Sequence, residues 1–188
     1  TEDDIYSELD LAPIPPELRE DQGEFDAAEK NDIPRLLEWT DLKGSLHNHS
    51  NWSDGRHTLQ EIADYAIELG CAYWAITDHS RSSFQANGLT PERLRQQLEE
   101  IKAVNQRLED KGESFRLLTG TEVDILAEGK LDFNDDLLAE LEVVVASIHH
   151  GFSQNESETT KRLIRAAENP FVHMLGHLTG RLLLEREP

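Results

Sequence analysis

Residues 41–55 read DLKGSLHNHSNWSDG. A short alternating run, Leu42, Gly44 and Leu46, leads into His47 and His49, and Asp54 follows five residues later. Side chains on an extended segment alternate faces, so histidines at i and i+2 point the same way. Imidazole nitrogens and a carboxylate converging where a strand gives way to a loop are the donor set that zinc, manganese or iron takes. The stretch reads as a metal hook at a strand end.

Downstream of the hook, strand and helix signals alternate. A first strand is expected over 42–46. A helix over 58–70 follows, opened by a Thr58/Glu61 capping box, with Ile62, Ala66 and Leu69 as its expected buried face and Gly70 as terminator. The second strand, 72–77, runs into Asp78 and His79. Thr90-Pro91 opens another helix with an N-cap and a first-turn proline. Leu94, Leu98, Ile101, Val104 and Leu108 recur at spacings of three and four and mark its buried face, and Gly112 ends it. A third strand over 115–118 meets Gly120, Thr121 and Glu122, with 123–126 as its continuation. A short helix near 135–140 precedes a fourth strand, 143–148, which ends at His149. A helix over 159–168 and a fifth strand, 171–175, ending at Gly176-His177, complete the pattern. Five β-α units in succession imply an α/β fold with a parallel sheet or barrel and right-handed crossovers.

Upstream of Asp41 the text differs. Thr1 and Asp4 can cap a helix carrying Ile5 and Leu9, and Pro13, Pro15 and Pro16 stop it. Residues 17–39 are acidic, with one short helix expected over 25–29. This part reads as an N-terminal helical tail plus linker. The chain opens on Thr1 and closes on Pro188 straight after a strand-like run, so a fragment of a longer polypeptide is expected.

The formal charge is −20, from 38 acidic against 18 basic residues. Such a surface repels nucleic acid and membranes as a whole, so a DNA-directed role needs local basic groups, metal ions or a basic neighbouring domain. The plain alternative is a solvated acidic surface. The one cysteine, Cys71, excludes an intramolecular disulfide framework and fits a reducing, cytoplasmic setting. No apolar run approaches the ~20 residues of a membrane helix.

Five consecutive strands finish at metal-ligand residue types: His47/His49, His79, Glu122, His149 and His177. In a (β/α) barrel the C-terminal strand ends share one rim, where active sites sit. Adjacent His149 and His150 face opposite sides of an extended chain, and His149 is in line with Val145 and Ser147. His173 lies about 13 Å from His177 along a strand, too far to share an ion, and is read as helix-contacting or as a satisfied core histidine. His57, in a turn before a helix, is expected to be exposed. Asp78 is expected to orient its neighbour His79 from behind. His47, His49, Asp54, His79, Glu122, His149 and His177 exceed what one ion can use, so two or three divalent ions are expected, with Glu122 as the bridge. Ions ~3.5–4 Å apart suit in-line displacement at phosphorus. Metal-assisted hydrolysis of a phosphoester is the chemistry that follows, with Glu122, Asp54 and His79 as catalytic candidates. Arg81, Arg162 and Arg181 are candidates for holding a phosphate, with surface ion pairing as the alternative for each.

The motifs LHNHSNWSDG, AITDHS, GTEVDIL, ASIHHGF and LGHLTGRLL, in this order, resemble the PHP (polymerase and histidinol phosphatase) family over residues 41 to 188. Within it, IPPELRED, NGL and GRLLL resemble the C-terminal PHP domain of bacterial family X DNA polymerases, and TEDDIYSELDL resembles the end of a polymerase thumb. The resemblance implies a distorted (β/α)7 TIM-like barrel, here cut to about five β/α units. Its domains would be 1–22 (end of the thumb), 23–40 (linker) and 41–188 (the phosphoesterase domain). It implies a trinuclear manganese or zinc centre, with iron as a further option. His47, His49 and Glu122 would hold one ion, Glu122, His149 and His177 a second, and Asp54 and His79 a third. The family's late Asp-x-His motif is not present in this chain, so the fragment alone is expected to be inactive. Mn-dependent 3′→5′ exonuclease and phosphatase activity on DNA 3′ ends, beside an upstream polymerase domain, is the implied function. A stand-alone phosphatase for a small phosphomonoester and a non-catalytic barrel supporting a polymerase are the alternatives.

Overall fold

A computed structural model of the chain describes residues 1–180. The chain divides into two compact units, Thr1–Leu42 and Lys43–Pro188. In the first unit Thr1 caps α1 (Glu2–Glu8), its hydroxyl accepting from the Asp4 amide while the Asp4 carboxylate takes the N-terminal amine. A single 3₁₀ turn at Pro16–Leu18 leads to α2 (Glu24–Glu29). Ile14 and Ala28 are its buried apolar residues. Arg19 ties the proline segment down, donating to the Ile14 carbonyl and the Glu2 carboxylate.

The second unit repeats β-α in chain order. Its elements are β1 (Gly44–Ser45), α3 (Leu59–Glu68), β2 (Tyr73–Ile76), α4 (Pro91–Asp110), β3 (Arg116–Asp124), α5 (Asp135–Leu138), β4 (Val143–Ser147), α6 (Glu156–Ala167) and β5 (Met174–Leu175). The strands lie side by side in sequence order and every pairing is parallel. All the C-terminal strand ends therefore face one edge. That edge is where His47, His79, Glu122, His149 and His177 arrive.

Local chemistry explains most boundaries. Thr58 and Glu61 form the capping box of α3, and Thr90 caps α4 ahead of Pro91. Gly70 and Gly112 follow these helices at φ +75 and +78, a left-handed conformation that costs glycine little. α4 is the long pier of the unit. Its Leu94 and Leu98 pack with Val123, Val144 and Ala146, while Ile101, Val104 and Leu108 pack with Leu59, Ala63, Ile76 and Leu117.

Several elements differ from the expectation. β1 is two residues long because side chains replace the ladder beyond Ser45. The Asn48 amide group donates to the Ala75 carbonyl, and its backbone N–H donates to the Thr77 hydroxyl. The buried face of α3 is Leu59, Ala63 and Ala66, whereas Ile62 is half-buried and Leu69 exposed. The cap fixes the helix start, and the two small alanines let α3 approach closely. α6 begins at Glu156, three residues early, because Asn155 and Glu158 form a capping box. β5 shrinks because Asn169 takes the Phe171 amide and the His173 imidazole takes the Val144 amide.

β3 pairs with β2 through residues 116–119 and with β4 through residues 120–124. Gly120 stands at the changeover, where an added Cβ would lie 2.6 Å from the Val143 carbonyl and 2.9 Å from that of Ile76. Both obstacles are backbone, so neither can rotate away. Gly120→Ala is expected to destabilise the chain by about 1–3 kcal/mol, read as a lower urea midpoint at unchanged slope.

Candidate metal centre

The Glu122 carboxylate sits at the middle of the strand-end edge and is 1% exposed. Its backbone is held on both sides: its amide donates to the Thr77 and Asp78 carbonyls, and its carbonyl accepts from Ser80. Five imidazoles surround its side chain. Oε1 lies 3.3 Å from His47 Nε2, 3.3 Å from His149 Nε2 and 2.9 Å from His177 Nε2. Oε2 lies 3.0 Å from His79 Nδ1 and 3.5 Å from His49 Nε2. Asp54 stands on the far side of two of these rings, 3.6 Å from His49 Nδ1 and 3.6 Å from His79 Nε2. All seven residues singled out from the strand ends thus meet at one place.

Among the described residues, donor atoms within 4.8 Å of one another form three sets: His47, His49 and Glu122; His49, Asp54 and His79; and His79, Glu122 and His149. The first is the grouping expected for one ion. In the second, His49 joins Asp54 and His79. In the third, His79 stands where His177 was expected, and His177 instead contacts Oε1 from a half-exposed position with a left-handed φ of +24.

The donors fit divalent cations on two counts. The Nδ1 atoms of His49 and His79 are buried and have no hydrogen-bond partner among the described residues, although carboxylate oxygens lie 3.0–3.6 Å away. A cation between nitrogen and carboxylate satisfies both, whereas an unpaired buried polar atom costs free energy. The set is also mixed imidazole and carboxylate, the chemistry that zinc, manganese and iron accept.

The electrostatics point the same way. Burial alone would raise the Glu122 pKa, but the imidazoles of His149, His177, His47 and His79 facing the carboxylate overcome it and hold the carboxyl far below the usual range. His49 is pushed down, first by burial and then by neighbouring His79, and so is kept in the neutral form a metal ligand needs. His149 goes the other way. Burial opposes its charge, but Asp124 and Glu122 raise its pKa to about 9.

Behind these groups lie two buried carboxylates. Asp124, which the strand-end reading passed over, accepts from Ser83 Oγ at 2.8 Å and Ser80 Oγ at 3.2 Å, and lies 2.9 Å from His149 Nδ1. A carboxylate on the rear nitrogen of an imidazole fixes its orientation and tautomer. The signal available was Asp124 at i+2 from Glu122, on the same face of a strand. Asp78 does not reach its neighbour His79. It accepts from the Ser50 amide at 2.8 Å and from the Ser50 and Ser53 hydroxyls, and so anchors the loop between His49 and Asp54.

The remaining candidates separate cleanly. Arg162 is no phosphate ligand: it is buried and donates to the carbonyls of Ile125, Leu126 and His150. Arg81 is exposed and donates through Nε to Asp132 at 3.1 Å, and its outer nitrogens have no hydrogen-bond partner among the described residues. Arg181 lies outside the described residues. His150 turns away to within 3.1 Å of the Ser82 carbonyl. His57 is exposed near Glu61. His173 is exposed rather than in the core, its ring occupied by the Val144 amide.

A parallel β/α sheet thus gathers five histidines and two acids at its C-terminal edge, a donor set that could hold metal ions. The chain belongs to the PHP domain family, which matches residues 45–184. It is 46% identical over 186 residues to the DNA polymerase/3′-5′ exonuclease PolX of Bacillus subtilis, covering 99% of this chain and 32% of that protein. It is also similar to a probable phosphatase of Thermoanaerobacter sp., at 38% identity over 143 residues, 72% of this chain and 54% of that protein. A probable phosphatase of Syntrophotalea carbinolica is 26% identical over 144 residues, 70% of this chain and 52% of that protein. The chain thus spans about a third of the polymerase relative and half of each phosphatase.

Two outcomes follow from the geometry. A raised His149 pKa contributes stability in full below pH 6.5, and that contribution is lost as pH rises through about 9. Metal must displace the same proton, so Mn²⁺ affinity is expected to climb between pH 6.5 and 9 with proton release on binding, measured by titration calorimetry in buffers of different ionisation enthalpy. Asp124→Asn, which weakens the hold on His149, is expected to lower metal affinity about 10–100-fold in the same titration.

Proposed function

We propose that this chain is a metal-dependent phosphoesterase module that hydrolyses DNA 3′ ends within a family X-type repair polymerase. The single observation that carries the reading is the seven-residue cluster around Glu122, set in a PHP domain. The 46% identity to a protein named a polymerase/3′-5′ exonuclease supports DNA as the substrate. On this reading residues 1–22 are the end of a polymerase thumb, 23–40 a linker and 41–188 the phosphoesterase domain, a segment of a distorted (β/α)7 barrel. The upstream polymerase would be the partner in the same polypeptide.

His47, His49, Asp54, His79, Glu122, His149 and His177 would hold two or three ions, manganese or zinc by their donor chemistry. Such ions supply a hydroxide nucleophile at neutral pH and neutralise charge on phosphoryl oxygens. The chain's own part is to fix the donors. Glu122 presents its two oxygens to different imidazoles, which suits a bridging role. Asp54 is half exposed and lies 3.6 Å from the largely buried His79, so a substrate oxygen or leaving group would be met on the Asp54 side. Arg81, which engages Asp132 through Nε alone, is a described arginine whose outer nitrogens could take a phosphate.

A second reading has its own support. The probable phosphatases match the chain without any polymerase in their names, which favours a small phosphomonoester as substrate. The two separate in one assay: Mn²⁺-dependent release of nucleotides from a 3′-labelled single strand, against release of phosphate from a small phosphomonoester, using the polypeptide extended on both sides of this chain. Nucleotide release is the expected result. Phosphate release alone would move the function to the phosphatases. His47→Ala and Glu122→Ala are each expected to reduce hydrolysis at least 1,000-fold (about 4 kcal/mol of barrier) while leaving nucleotide incorporation by the extended polypeptide unchanged. Equal loss of both activities would instead indicate a supporting barrel.

A further inference from the structure

One residue on the apolar face of α4 breaks the pattern. Gln97 lies three residues beyond Leu94 on the buried stripe and is fully buried. A primary amide there costs free energy unless it is hydrogen-bonded. Its Oε1 has no hydrogen-bond partner among the described residues, so its Nε2 carries the offset. Nε2 donates to Asp78 Oδ2, the carboxylate that anchors the loop between His49 and Asp54, and lies 3.5 Å from Ser50 Oγ.

Gln97 is flanked by two residues aimed at the same loop. Arg93 donates to the Trp52 carbonyl, and Glu100 accepts from the Trp52 indole N–H at 2.9 Å. Arg93, Gln97 and Glu100 are spaced four and three apart and so share one helix face. Asp78 meanwhile receives four donors: the Ser50 amide, the Ser50 and Ser53 hydroxyls, and Gln97. An ionised carboxylate offers about four acceptor sites, so this one is saturated. Ser50 follows His49, Ser53 precedes Asp54, and Asp78 precedes His79. The network therefore touches the chain beside all three members of a single donor set, His49, Asp54 and His79.

We infer that Gln97 is a positioning residue for that donor set, transmitting the rigidity of α4 through Asp78 to the His49–Asp54 loop. The inference rests on the metal-centre reading above and extends it to a residue that approaches no ion. Its specific consequence is selectivity. Glu122, His149 and His177 are placed by β3, β4 and β5 and do not depend on Gln97. Loss of Gln97 should loosen most the one set whose three members all adjoin the network, and least the Glu122–His149 side, which shares only His79 with it.

The test is Gln97→Leu, which keeps the volume and restores the apolar stripe. Bound Mn²⁺ is counted from the loss of the free-ion electron paramagnetic resonance signal as the metal is titrated into the chain, and thermal unfolding is followed without metal. The wild-type chain is expected to bind more than one ion. In Gln97→Leu one class of bound ion weakens about 10–100-fold, while metal-free stability is unchanged or higher. Ser53→Ala, which removes a donor to Asp78 from the loop side, is expected to weaken the same class, and it carries the test should Gln97→Leu fail to fold. Metal binding equal to wild type in the folded variants would overturn the inference. A loss of affinity that merely tracks a loss of stability, or that falls equally on every ion, would overturn it too. No Mn²⁺ uptake by the wild-type chain would instead refute the metal-centre reading on which it stands.

Discussion

The structure turns on a buried negative charge. The Glu122 carboxylate lies almost out of solvent, and an isolated charge there would be very costly. Five imidazoles from four other strand ends meet that cost. The parallel pairing of every strand brings these ends to one edge. The short β1, the changeover at Gly120 and the side-chain bonds of Asn48 are local adjustments that let the hook at His47 and His49 curl toward Glu122.

Around this centre the chain builds a second ring of acid. Asp124 backs His149, and Asp78 backs the loop of His49 and Asp54, each satisfied by serine hydroxyls. The result is a site rich in negative charge on a chain that carries −20 overall. Such a site attracts divalent cations and repels phosphates until those cations are bound. On the proposed reading, cations would therefore bind ahead of a phosphorylated substrate, whether a nucleic acid end or a small phosphomonoester.

The similarities divide along the same line. One relative carries polymerase and exonuclease in its name and matches almost the whole of this chain; the phosphatases match about seven-tenths of it. The PHP family match begins at residue 45, beyond the acidic N-terminal unit, Thr1–Leu42, which has its own capped helix and its own small core at Ile14 and Ala28. The part that the family matches holds the whole donor cluster around Glu122.

Periodicity and capping residues in the sequence were enough to determine the β-α order, the stripe of α4 and the seven strand-end residues, because these depend on neighbours a few positions apart. The Thr58 and Thr90 caps, Gly70 and Gly112 were legible for the same reason. Which donors share a set was not, since His79 is nearer in space to His49 and His149 than strand order suggests. The burial of Arg162, the engagement of Arg81 by Asp132, and the turn of Asp78 toward Ser50 rather than His79 also needed the fold. Each depends on partners 25 to 51 residues away. Spacing along the chain can name the residues that reach a rim. The direction in which each side chain leaves its backbone, and so what it touches there, is decided only when the sheet closes on its helices.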